Sequence, residues 1–163
     1  CREPTNKQGQ LATRLLEAGA DIIVGNHPHV VQPIEFIKYR YRGELQEGIV
    51  AYALGNFTGD QIEPYTDTGI MLFVSVKKET PQGKVDLIEV TYLPTWIHRY
   101  YHAGRRDFRV LPILPGEEYW RQMTEDPFIT VTDLQRLEQV QSEMEEHLRH
   151  VPHGLPIDYP FEP

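Results

Sequence analysis

Two histidines separated by a proline, in Gly25-Asn26-His27-Pro28-His29, are the residues of this sequence best placed to do chemistry. Neutral imidazole is a common ligand for zinc, iron and similar ions. Pro28 disfavours a helical backbone at His27, and in an extended backbone residues two apart point the same way. On that premise His27 and His29 present their rings to one small volume while Pro28 faces elsewhere. Gly25, just before them, lets the backbone approach a bound group closely. An isolated His-x-His also fits two solvated loop residues, because short motifs match by chance. Placement favours the ligand reading. The pair follows directly on Ala20-Asp21-Ile22-Ile23-Val24, a short β-branched run that reads as a strand buried on both faces. Ligands of open α/β sheets gather at the carboxyl ends of strands.

The elements that must hold this loop are legible from pattern. Thr5 followed by Gln8 has the form of a helix capping box, and Leu11, Ala12, Leu15 and Leu16 recur at helical spacing on an inward face. Gly19 stands where a C′ glycine ends a helix. Helix, tight turn and buried strand together read as one α/β unit. Beyond the histidines, Ile34, Phe36, Tyr39 and Tyr41 lead to a turn at Arg42-Gly43-Glu44, and residues 48–54 pair back as a hairpin. Further strands are predicted at 69–77, 85–93 and 106–113, with a turn at Pro81-Gln82-Gly83-Lys84. Thr132 with Gln135 gives a second capping-box signal. Leu134, Leu137, Val140, Gln141, Met144 and Leu148 trace a stripe on the helix that follows. Pro152 lies just beyond its end, and the tail with Pro156, Pro160 and Pro163 reads as irregular.

Two blocks carry a family resemblance. Residues 19–32, Gly-Ala-Asp-Ile-Ile-Val-Gly-Asn-His-Pro-His-Val-Val-Gln, resemble the signature of CapA-type poly-γ-glutamate capsule-synthesis proteins. Tyr52-Ala53-Leu54-Gly55-Asn56-Phe57, with Asp60-Gln61 close behind, is similar to that family's Y-S-L-G-N-F block and the Asp-Gln after it. Leu93-Pro94-Thr95-Trp96 adds a less diagnostic likeness. The resemblance spans residues 4 to about 113. It implies a calcineurin-like metallophosphoesterase fold: α/β, part of a two-sheet β-sandwich flanked by helices, with a C-terminal helix. Residues 1–115 would be the C-terminal part of that domain, and 116–163 its helical extension and tail, the break falling at Pro112, Pro115 and Gly116.

The resemblance also implies a two-metal site at strand ends, with His27 and His29 as the last pair of histidine ligands and zinc, manganese or iron as the ions. Asn26 stands where many relatives carry another histidine. Asn56 is the candidate catalytic residue, orienting a ligand or substrate from a strand-end loop, although Gly-Asn is also an ordinary turn pair. Asp60 and Gln61 are weaker candidates. Gln32 either holds the histidine loop or is a polar strand residue. Two ions about 3.5 to 4 Å apart need more ligands than two imidazoles, and in the resembled family the others come from the first half of the domain. The expectation is therefore a piece of a longer protein that binds metal weakly and catalyses poorly by itself. The implied activity of the intact protein is metal-dependent hydrolysis of a phosphoester or related bond. The alternative is a non-catalytic component that binds polymer or scaffolds a capsule synthesis or export assembly, with membrane-bound subunits as partners and a cell-envelope location.

Composition sets the outer bounds. The 163 residues carry a net charge of −8, with 40% hydrophobic and 25% charged residues, the profile of a globular chain. The acidic balance argues against a nucleic-acid binder, which needs a basic surface to displace phosphate counterions. Lys38, Arg40 and Arg42 alternate with tyrosines and could attract an anionic polymer, or could simply be the wet face of a hairpin. Arg105, Arg106 and Arg109 read the same way. His98 and His102 are given no metal role, and His147, His150 and His153 suit a helix end. The single cysteine, Cys1, forms no internal disulfide. No apolar run approaches the roughly 20 residues of a membrane span.

Overall fold

The computed structural model describes residues 1–78 and 85–156. The chain divides into two compact units, Cys1–Gly69 and Ile70–Pro163. As expected, it is α/β with two three-stranded sheets and flanking helices, one of them near the C-terminus. The predicted turn at residues 81–84 and the last prolines, Pro160 and Pro163, lie outside the described residues.

In the first unit, α1 (Asn6–Glu17) opens on the foreseen box: the Gln8 main-chain N–H donates to Thr5 Oγ1, and Gln8 Oε1 accepts from the Thr5 N–H at 2.8 Å. The helix closes as a Schellman motif. Ala20 N–H donates to the Leu15 carbonyl and Gly19 N–H to that of Leu16, with Gly19 at φ 105°. Strand β1 (Ile22–Val24) follows at once and pairs in parallel with β3 (Glu44–Ala51), which in turn pairs antiparallel with β2 (Ile34–Tyr41), giving the order β1-β3-β2. Arg42 and Gly43 both have positive φ, so the hairpin turn has the two-residue twist that matches right-handed strands. Ala12 and Leu16 pack on Tyr39, Val50 and Tyr52. The two tyrosines bury their rings and spend their hydroxyls on carboxylates: Tyr39 donates to Asp21 at 2.9 Å and Tyr52 to Glu35 at 3.1 Å. Burial, and then these acidic partners, push both phenols up to about 12.

Two expectations fail here for one reason. Strand β1 is not buried on both faces: Ile22 is 40% exposed and Val24 55%. Leu11 and Leu15 of α1 are exposed as well, lining a groove with Ile23 and Gly25. Strand β1 is an edge strand, and α1 covers only the face carrying Ile23, so apolar residues on the open side have nothing against them within this unit.

Strand β4 (Thr68–Lys78) begins on the last two residues of the first unit and continues into the second, which adds β5 (Val85–His102) and β6 (Arg105–Pro112) in the order β4-β5-β6, followed by α2 (Glu117–Glu125) and α3 (Val131–His147). Strand β5 is twice the length expected, because its second half pairs with β6 from Thr95↔Pro112 to His102↔Arg105. Helix α2 has no counterpart among the sequence expectations. Its acidic first turn, Glu117 and Glu118 after Gly116, was the available signal. The cap of helix α3 comes two residues before the expected one. Thr130 is the N-cap, and the carboxylate of Asp133, not Gln135, closes the box on the Thr130 N–H at 2.8 Å. The stripe holds: Leu137, Val140, Met144 and Leu148 are all buried.

His98 lies inside this unit, 1% exposed and stacked between Trp96 and Tyr100. Arg109 Nε donates to its Nδ1 at 2.9 Å, while Nε2 lies 3.5 Å from Asp133. Arg109 also pairs with Asp126 at 2.7 Å. Among the described residues, no helix is long and apolar enough to cross a membrane.

Candidate functional site

The histidine loop leaves the end of β1 at a point of close backbone approach. The Gly25 N–H donates to the Ala51 carbonyl at 2.7 Å, and a Cβ on Gly25 would run into the Tyr52 carbonyl. No larger residue fits there without moving β3. His27 then takes φ 106°, with its N–H donating to Asn26 Oδ1 at 2.8 Å. This corrects the premise of an extended backbone: the rule that residues two apart point the same way does not apply across His27. Positive φ at a residue other than glycine is costly and is characteristic of sites whose surroundings enforce it.

On the far side of the loop the chain re-enters the hairpin. One register runs unbroken from Tyr41↔Glu44 through Ile34↔Ala51 to the bridge Val31↔Leu54. Gln32 N–H donates to the Ala53 carbonyl and Tyr52 N–H to that of Pro33. Pro33 has no N–H of its own, so the regular strand starts only at Ile34. Carrying the same register two residues further sets His29 opposite Asn56, and the side chains meet, with His29 Nδ1 2.8 Å from Asn56 Oδ1. The turn at Arg42-Gly43 thus fixes which residue faces His29.

Asn56 is 9% exposed. Its main-chain N–H donates to the Thr68 carbonyl at 3.1 Å, and its Nδ2 donates to the Thr66 carbonyl at 2.8 Å and to Gln61 Oε1 at 2.7 Å. Gly55, at φ 72°, makes the bend that turns Asn56 inward, and a Cβ there would crowd Val31 at 2.9 Å. The structure therefore brings His29, Asn56 and Gln61 together. His27 and His29 are both exposed. Gln32 is buried and does not hold the histidine loop. Its Nε2 donates to the Cys1 and Glu3 carbonyls, and its Oε1 accepts from Gln8 at 3.1 Å, tying down the segment ahead of α1. Thr66 escaped the sequence reading because it contributes only a main-chain carbonyl, which leaves no mark on side-chain pattern. Among the described residues, no three or more histidine, cysteine, aspartate or glutamate side chains converge as a metal would require.

A strand-end loop presenting two exposed imidazoles, one of them oriented by a buried carboxamide, defines this segment as an α/β unit with a candidate ligand-binding rim. Residues 1–61 match the family model described as bacterial capsule synthesis protein PGA_cap. The chain is similar to the PGA biosynthesis protein CapA of Bacillus subtilis (strain 168), 39% identical over 89 residues, which is 54% of this chain and 21% of that protein. It is also similar to the capsule biosynthesis protein CapA of Bacillus anthracis, 46% identical over 59 residues, 36% of this chain and 12% of that protein. The chain spans a minor part of the length of these relatives. No solved structure matches the chain.

Proposed function

We propose that this chain supplies part of a metal-dependent hydrolase site in a capsule-synthesis protein, with His27 and His29 as ligands for divalent ions such as zinc, manganese or iron. The observation that carries the reading is the His29–Asn56 contact at the strand-end rim. A ligating imidazole is held by a partner on its other ring nitrogen, and Asn56 is that partner. Divalent ions bound there would polarise a phosphoester or related bond and activate water for attack on it. The residues of the chain do the rest. His29 offers a nitrogen held in place by Asn56, and Gly25 admits the loop against β3. The remaining ligands would come from outside the described residues.

A second reading, binding or scaffolding of anionic polymer without catalysis, draws on the exposed row Lys38, Arg40 and Arg42 on β2 and its turn. Membrane-bound capsule-synthesis subunits are the partners that fit either reading.

The test is hydrolysis of a generic aryl phosphodiester, with manganese or zinc added, by a protein extended to the length of the CapA relatives. His27→Ala and His29→Ala should each lower the rate by at least about 100-fold, the scale of removing a group that holds a catalytic ion. Unchanged hydrolysis in both variants contradicts the metal reading. Loss of polymer binding on removing Lys38 and Arg40, with no hydrolysis in any form, favours the second.

A further inference from the structure

The geometry points to Asn56 as a positioning residue that sets the tautomer of His29, keeping the imidazole proton on Nδ1 and leaving the Nε2 lone pair to coordinate. The orientation of the carboxamide is forced. The Thr66 carbonyl can only accept a hydrogen bond, so the atom 2.8 Å from it must be the amide nitrogen. The other amide hydrogen goes to Gln61 Oε1 at 2.7 Å. Oδ1 is then the atom facing His29 Nδ1 at 2.8 Å, and a carbonyl oxygen draws a proton onto that nitrogen. Asn56 is buried and its main-chain N–H is tied to the Thr68 carbonyl, and a flipped carboxamide would set its oxygen against the Thr66 carbonyl oxygen.

The consequence runs against the intrinsic preference of the ring, since neutral histidine free in water favours the proton on Nε2. Reversing that choice has little use in a solvated loop residue. It has a direct use in a ligand, because the nitrogen that coordinates must be bare while the other donates to an orienting acceptor. Both amide hydrogens of Asn56 are committed to Thr66 and Gln61, so the residue acts through His29 and not on a substrate. The coordinating half of this inference rests on the metal reading of His29, while the tautomer half does not.

Proton–nitrogen correlation spectra of the nitrogen-labelled chain, recorded at alkaline pH where imidazole is neutral, report the protonated ring nitrogen directly. The expected result is Nδ1–H at His29 in the native chain. In Asn56→Ala the ring should move toward Nε2–H. Nε2–H in the native chain overturns the inference even if the variants fail to fold, and so does an unchanged Nδ1–H in a folded Asn56→Ala. Zinc is then titrated into the same samples. It should shift the His29 Nε2 resonance, with apparent affinity about 10–100-fold weaker in Asn56→Ala. The native tautomer with an Nε2 signal indifferent to zinc overturns the coordinating half and the metal reading together, while the tautomer-setting role stands.

Discussion

At the scale of single residues, two histidines in this chain have opposite surroundings and different uses. His29 is exposed and its Nδ1 faces an acceptor oxygen. His98 is buried and its Nδ1 faces a donor, Arg109 Nε, so the neutral ring carries its proton on Nε2 toward Asp133. Burial, helped by the Arg109 cation and opposed by Asp133 and Asp126, holds His98 below its ordinary value. A second proton would have to displace the Arg109 bond in a buried site. The sign of the pH effect follows from linkage. Between the lowered folded value and the unfolded value of about 6.5, the unfolded chain binds more protons than the folded one. The stability associated with His98 is therefore complete above about pH 6.5 and is lost as the pH falls from there through the folded value. Denaturant midpoints followed by tryptophan fluorescence should decline over that acid window in the native chain. In His98→Gln, which cannot take up the proton, the decline should be shallower. Identical profiles would remove His98 as the cause.

At the scale of elements, capping and register decide how much of this fold can be anticipated. The box at Thr5-Gln8 and the glycine exit at Gly19 were legible because each needs only local residue types at fixed spacing. At α3 the same rule found the right motif and the wrong residues, since threonines stand at both 130 and 132. The tertiary contact between Asp133 and His98 goes with the earlier frame. Thr130→Ala should lower stability by about 1 kcal/mol, within the usual range for a lost N-cap, and Thr132→Ala by much less. Equal losses in urea denaturation would contradict the assignment. Register was the signal left unused. The hairpin and its Arg42-Gly43 turn could be read from the sequence, and extending that pairing past Pro33 would have set His29 across from Asn56. What could not be read was burial at β1. A β-branched run looks the same whether its open face is covered or not, and the exposure of Ile22 and Val24 reflects a neighbour that no local pattern encodes. The length of β5 was missed for a related reason, because Pro94 suggests a break where the strand runs on, its residues from Thr95 to His102 paired with β6.

At the scale of the whole molecule, residues 1–61, which match the capsule-synthesis family model, and the His29–Asn56 pairing fall in the same unit, Cys1–Gly69. The second unit has its own buried network around His98 and Arg109. Two imidazoles and a positioning carboxamide are too few for a two-ion centre, and the alignments reach 21% and 12% of the CapA relatives. On the proposed reading, this chain holds the closing ligands of a site whose other ligands lie elsewhere in a longer protein. The most direct measurement is calorimetric titration of zinc into the 163-residue chain and into its His27→Ala/His29→Ala double variant. The account predicts weak binding to the native chain, in the range of a site with two protein ligands, and none to the folded double variant. Equal binding by the two proteins would contradict it, because the ions would then be held by something other than the histidine loop.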